Sequence, residues 1–225
     1  QIIIRMSILS VVSLLPGFQD FVTNYYVIYV VILGFTAGLF EVVARLAVAK
    51  IMSKELTYER SIAAGLGHGG IEAMVLIGMT YINNLAYTAM INGGTFDTIV
   101  EQTAAMGVDV SSLYAVKDSL INTPAYLFGL AGFERILTMV CHVALTLVVC
   151  YFVAKKQTWK GVLITLGLHT LLDTVSGLLS GMSTIYMGEI ISVNMGYVLV
   201  YGFLILMTVV SVGIIIKIRK SFRRG

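Results

Sequence analysis

Residues 26–49 form a run of twenty-four positions that holds two charged side chains, Glu41 and Arg45, and no proline. About 20 apolar residues in a helix span a hydrocarbon layer about 30 Å thick, so such a run predicts a membrane span. Charges and turns cut the rest of the chain into pieces of similar size. Six spans are expected, at residues 2–15, 26–49, 61–82, 127–154, 161–179 and 195–216. Pro16 and Gly17 stop the first, and a start at Gln1 rather than Met predicts further residues upstream. Strands of a membrane barrel would alternate apolar and polar residues, and these runs do not. The expected fold class is all-α: a polytopic transmembrane helix bundle forming a single integral membrane domain over residues 1–225.

Composition agrees. The chain is 58% hydrophobic and 12% charged, with mean hydropathy +0.91. Soluble domains carry about 25% charge, so a soluble globular fold is excluded, as is a disordered chain. The formal net charge of +3 is small and sits at the ends of apolar runs, which excludes a nucleic-acid-binding face. Two cysteines exclude a disulfide scaffold. The chain contains no internal repeat.

Lys and Arg near span ends are retained on the cytoplasmic side. Arg5, then Lys50, Lys54 and Arg60, then Lys155, Lys156 and Lys160, then Lys217, Arg219, Lys220, Arg223 and Arg224 fall on alternate ends of the six spans. The other face collects Asp20, Asp97, Glu101, Asp109, Asp118 and Glu189 with Lys117. Both termini are therefore expected in the cytoplasm, with membrane lipids as partners of the basic tail. The connection 83–126 lies outside and is long enough to carry structure of its own. Short helices are expected at 95–106 and 111–122, lying over the outer face as a gate or as an ordered spacer.

Six charges remain inside spans: Glu41, Arg45, Glu72, Glu134, Arg135 and Asp173, together with all three histidines, His68, His142 and His169. A charge at mid-membrane costs on the order of 2.5–3.5 kcal/mol, so such residues face a bundle interior or a wet cavity. Glu41 and Arg45, His68 and Glu72, and His169 and Asp173 are each spaced i,i+4, which puts each pair on one helix face. Counting about 1.5 Å per residue from the nearest cytoplasmic cation, Glu41, His68, His142 and His169 share a layer roughly 12–20 Å deep. Glu134 and Arg135 fall nearer the outer mouth, where an ion pair holding the loop is expected.

A carboxylate among imidazoles in a partly dry cavity allows two chemistries. A Glu can act as general base on a water while a His donates to the oxyanion, with no metal. Alternatively, His68, Glu72, His142 and His169 can hold zinc, whose bound water becomes the nucleophile. The helical HExxH spacing of one large zinc-protease class is absent, which favours the metal-free arrangement with no cofactor. Structural readings stand beside both: Glu41 and Arg45 neutralising each other within one helix, and the glycines at 65 and 69 serving helix packing.

The segments FEVVAR (residues 40–45), GLGHGGIEA (65–73), FERILTMVCHVALT (133–146) and LHTLLDT (168–174) resemble the motif series of the YhfC family of intramembrane peptidases, relatives of the PrsW and CPBP or CAAX-type membrane proteases. The resemblance covers residues 40–174. It implies a protease-like four-helix core within about 26–180 and a glutamate-dependent hydrolase in a bacterial cytoplasmic membrane. Glu41 and Arg45 match the first motif, His68 the second, and His169 with Asp173 the last. Val42 stands where the wider superfamily carries a second Glu, which leaves Glu41 and Glu72 as rival candidates for the base. The expected function is cleavage of a peptide bond in a membrane-associated polypeptide, with Glu41, Arg45, His68, Glu72, His142, His169 and Asp173 as the site. The competing functions are an inactive, protease-like protein binding a peptide or lipid, and a small-molecule uptake subunit.

Overall fold

The computed structural model describes residues 4–181 and 193–222, and every regular element among them is helical. Glu189, Arg223 and Arg224, used above to orient the chain, lie outside the described residues, as does the start of the first expected span. The elements are α1 (Ile4–Val12), α2 (Phe18–Asn24), α3 (Tyr26–Ile51), α4 (Tyr58–Glu72), α5 (Met79–Asn92), α6 (Phe96–Ala105), α7 (Ser111–Asn122), α8 (Ala125–Ala154), α9 (Thr158–Gly181) and α10 (Val193–Phe222). Five helical stretches are long and apolar enough to cross a membrane: Tyr26–Ile51, Tyr58–Asn92, Ala125–Ala154, Thr158–Gly181 and Asn194–Phe222. They coincide with the second to sixth expected spans. The described part of the first expected span is α1, nine residues long.

The third span outruns its expected end at residue 82. It is one helix of 35 residues, passing through a π-helical segment, Ala73–Gly78. Asn83 and Asn84 are middling helix formers and do not break it. The stop comes at Gly93 and Gly94, where Gly94 takes a φ of 71° that other residues resist.

The chain divides into two compact units, residues 1–70 with 136–225, and residues 71–135. In the first, α3 and α9 form the most extensive helix pair, and α9 also packs on α10. The most apolar stretch of α8 is 67% buried, against 33% or less for the other spans. A helix apolar on all sides belongs in the middle of a bundle, and the α8 sequence from Leu137 onward is apolar almost throughout. Val149, Cys150 and Val153 of α8 form a core with Val42 and Ala49 of α3 and Val162 of α9. Leu147 and Val148 form another with Ile218 of α10. Cys141 and Cys150 are free, buried thiols.

The second unit contains the two short helices expected in the long connection. Phe96 and Val100 give α6 a buried face. Lys117 of α7 pairs with Asp97 at 2.6 Å and lies over the Phe96 ring at 5.4 Å. Asp109 accepts from the Ser111 backbone N–H at 2.9 Å and from its hydroxyl at 2.8 Å, starting α7. These two donors hold the Asp109 carboxyl below its usual range. Glu134 and Arg135 form the expected ion pair.

Candidate metal centre

Four helices of the first unit converge on one carboxylate. Glu41 comes from the middle of α3 and is 2% exposed. Arg45, one turn on, is buried as deeply and reaches back to it, Nη2 to Oε2 at 2.7 Å. The same Oε2 lies 3.1 Å from Nε2 of His68 on α4, 3.6 Å from Nδ1 of His142 on α8, and 3.7 Å from Nε2 of His169 on α9.

Small residues permit this convergence. A Cβ on Gly65 would stand 2.7 Å from the Val143 Cα, and one on Gly69 would stand 3.0 Å from the His142 Cβ. The GLGHGG segment therefore presses α4 against α8 and brings His68 beside His142, with ring centroids 5.5 Å apart. Gly67 and Gly70 meet nothing on their open side. On α3, Gly38 faces Thr170 and the His169 ring, so α9 approaches closely enough for His169 to reach Glu41.

The electrostatics follow from donor inventory. Arg45 Nη2 also lies 2.7 Å from His142 Nδ1. A guanidinium only donates, so Nδ1 of His142 is the acceptor and this imidazole is neutral, with its proton on Nε2. The same Nε2 of His169 also lies 3.3 Å from Oδ2 of Asp173, one turn on along α9. His68 is the most open of the three rings, its side chain 21% exposed.

The donor set fits a metal ion. Glu41, His68 and His142 each offer a ligand atom, all within 4.8 Å of one another. Bonds of 2.0–2.1 Å in a tetrahedral zinc site put neighbouring donors about 3.3–3.4 Å apart. The 3.1 and 3.6 Å spacings of His68 and His142 from the Glu41 oxygen bracket that value. Two imidazoles and one carboxylate are the ligand set of one class of catalytic zinc site, which keeps a further position open. The lone pair on His142 Nδ1 that a metal would use is the one Arg45 occupies.

Of the site residues expected from sequence, the structure brings Glu41, Arg45, His68, His142, His169 and Asp173 together within the first unit. Glu72 is the last residue of α4, one turn past His68 on the same helical face, and belongs by its contacts to the second unit. Arg5, grouped by sequence with the cations at span ends, is instead buried against α3. It donates to the Leu33 carbonyl at 2.8 Å and to the Thr36 hydroxyl at 3.2 Å. The signal was the one that singled out Glu41: a lone charge inside an apolar run, with no second cation near it.

The sequence model of the YhfC intramembrane metalloprotease family matches residues 8–193. A membrane protein of Bacillus subtilis (strain 168), named as uncharacterized YhfC, is 34% identical over 122 residues, which is 54% of this chain and 46% of that protein. The chain thus spans about half the length of this curated relative. No solved structure matches the chain. The family's description and the donor set point to a metal, and the metal-free arrangement favoured by the sequence gives way to it. An integral membrane protein with all-helical spans and motifs matching over most of its length, the chain belongs to the YhfC family.

Proposed function

We propose that this chain is a membrane-embedded, zinc-dependent peptidase that cleaves a membrane-associated polypeptide in a bacterial cytoplasmic membrane. The observation that carries this reading is the placement of the His68 and His142 nitrogens 3.1 and 3.6 Å from one Glu41 oxygen, in a layer where burial of such groups is expensive. Glu41, His68 and His142 would hold the ion. Bound there, zinc supplies a Lewis acid and a water that ionises near neutral pH.

The chain's own residues do the rest. Arg45 fixes the rotamer of Glu41, because its guanidinium lies 2.7 Å from the buried carboxylate. Glu72, spaced i,i+4 from His68 in the sequence, is the candidate for the base that takes the proton of the attacking water. His169 supplies an N–H to the oxyanion. That N–H is on Nε2, which lies between Asp173 Oδ2 at 3.3 Å and Glu41 Oε2 at 3.7 Å. Asp173 orients the ring before reaction, and the long contact can be exchanged for a shorter bond as charge develops.

The test is cleavage of a membrane-spanning peptide by the purified protein in proteoliposomes. Activity should disappear on chelation and return with zinc. Activity that survives exhaustive chelation contradicts the metal-dependent reading.

A further inference from the structure

One cavity lies beside this centre. It has a volume of about 460 Å³ and follows one face of α3, through Tyr26, Val30, Gly34 and Ala37, and one face of α9, through Gly181, Gly177 and Asp173. Its deep end lies one helical turn from the metal centre on both sides, Ala37 preceding Glu41 by four residues and Asp173 following His169 by four. Its length along α3, eleven residues at about 1.5 Å each, is about 16 Å. An extended chain of about five residues has that length. Close packing of α3 on α9 at Gly34 and Gly177 makes the floor, and Tyr26, bonded to the Gly177 carbonyl at 2.9 Å, ties the two helices at the far end.

A cation, Arg5, lines this cavity together with one carboxylate, Asp173, with which it forms no ion pair. Arg5 is 9% exposed, and among the described residues no carboxylate lies within ion-pairing distance of it. Its Nε and Nη2 are used by Thr36 and Leu33, but Nη1 has only the Met6 sulfur at 3.9 Å. Buried charges in a membrane protein are paired or functional. An anion entering the cavity would find free N–H donors on a fixed guanidinium.

We propose that this groove is the substrate-binding cleft, that it takes an extended polypeptide segment, and that Arg5 pairs with an acidic side chain of that segment. This deepens the peptidase reading and rests on it for the word substrate. The depth of Arg5 selects a peptide over a lipid headgroup. It is anchored at Leu33 and Thr36, seven to ten residues from the Tyr26 end of α3, which is about 10–15 Å. A headgroup phosphate stays at the interface, whereas a side chain of an inserted segment reaches that depth.

Binding can be measured without turnover. Five-residue apolar peptides, acetylated and amidated, are prepared with Glu at each position in turn and with Gln as the matched neutral series. They are titrated against the protein in nanodiscs. One Glu position should bind about tenfold tighter than its Gln counterpart. Arg5→Gln should bring the two to the same affinity, and Arg5→Lys should retain the preference. Ser180→Trp, at the groove mouth, should block both series while Arg5 is intact. Equal affinity for the Glu and Gln series in the unaltered protein overturns the proposal. So does a Glu preference that survives Arg5→Gln, or displacement of the peptides by phosphatidylglycerol in an Arg5-dependent manner. Peptides that bind with the Glu preference but are never cleaved would leave the cleft standing and sink the peptidase reading. Cleavage without the preference would do the reverse.

Discussion

Nη2 of Arg45 lies 2.7 Å from Nδ1 of His142, so the guanidinium uses the lone pair through which that imidazole would bind a metal. It also neutralises Glu41 at the same distance. A buried carboxylate deprived of its cation costs about 3–5 kcal/mol. Arg45 and a metal are thus alternative counter-charges for Glu41, and either one prevents a lone buried anion.

The first prediction follows from that exchange. Chelation should lower the unfolding temperature of Arg45→Gln far more than that of the unaltered protein, because only the variant is left without a cation at Glu41. Thermal unfolding with and without chelator measures it. Equal shifts in the two proteins would show that Arg45 and the metal do not substitute for one another.

Glu41 and Glu72 should separate by metal content. Glu41→Gln removes a ligand and should lose both the ion and cleavage. Glu72→Gln should keep the ion and slow cleavage by about 10²–10⁴-fold. Elemental analysis beside a peptide cleavage assay distinguishes them, and a Glu41→Gln protein with full metal content would move Glu41 out of the ligand set.

Asp173 acts through His169. Asp173→Asn should leave the metal bound and cut turnover by about 10- to 100-fold, the usual effect of losing a residue that orients a working imidazole. Unchanged turnover in Asp173→Asn would mean that His169 does not take part.

Two glycines on α4 should answer oppositely to enlargement. Gly65→Val drives a side chain into the Val143 backbone, which a Cβ alone would approach to 2.7 Å. It should cost about 1–3 kcal/mol and separate His68 from Glu41. Gly67→Ala points into open space and should stabilise the helix by about 0.5–1 kcal/mol. Unfolding curves and metal content of the two variants check this.

The sequence carried much of this arrangement because helices turn linear spacing into depth and direction. Counting rises from the nearest cation put Glu41, His68, His142 and His169 in one layer, and i,i+4 spacing put Arg45 and Asp173 beside their partners. Which histidine nitrogen meets which oxygen was not legible, since it depends on how closely α8 and α9 approach α3 and α4. The glycines that set those distances read equally well as general packing. Arg5 was misplaced because depth was counted from chain position and not from its contacts with Leu33 and Thr36. The extension of the third span to Asn92 was missed because Asn83 and Asn84 look like loop residues, whereas the helix ends only at a glycine pair. The groove between α3 and α9 is a property of two helices in contact and has no linear signature.

Binding of a metal ion within the membrane by Glu41, His68 and His142 is what the proposed chemistry depends on. Its most direct test is the metal content per chain of the unaltered protein and of a His68→Ala, His142→Ala double variant, expressed together with zinc and purified in the same detergent. About one ion per chain is expected in the former and none in the latter, with both proteins folded by circular dichroism. Substoichiometric metal in the unaltered protein, or equal amounts in the two, would contradict it.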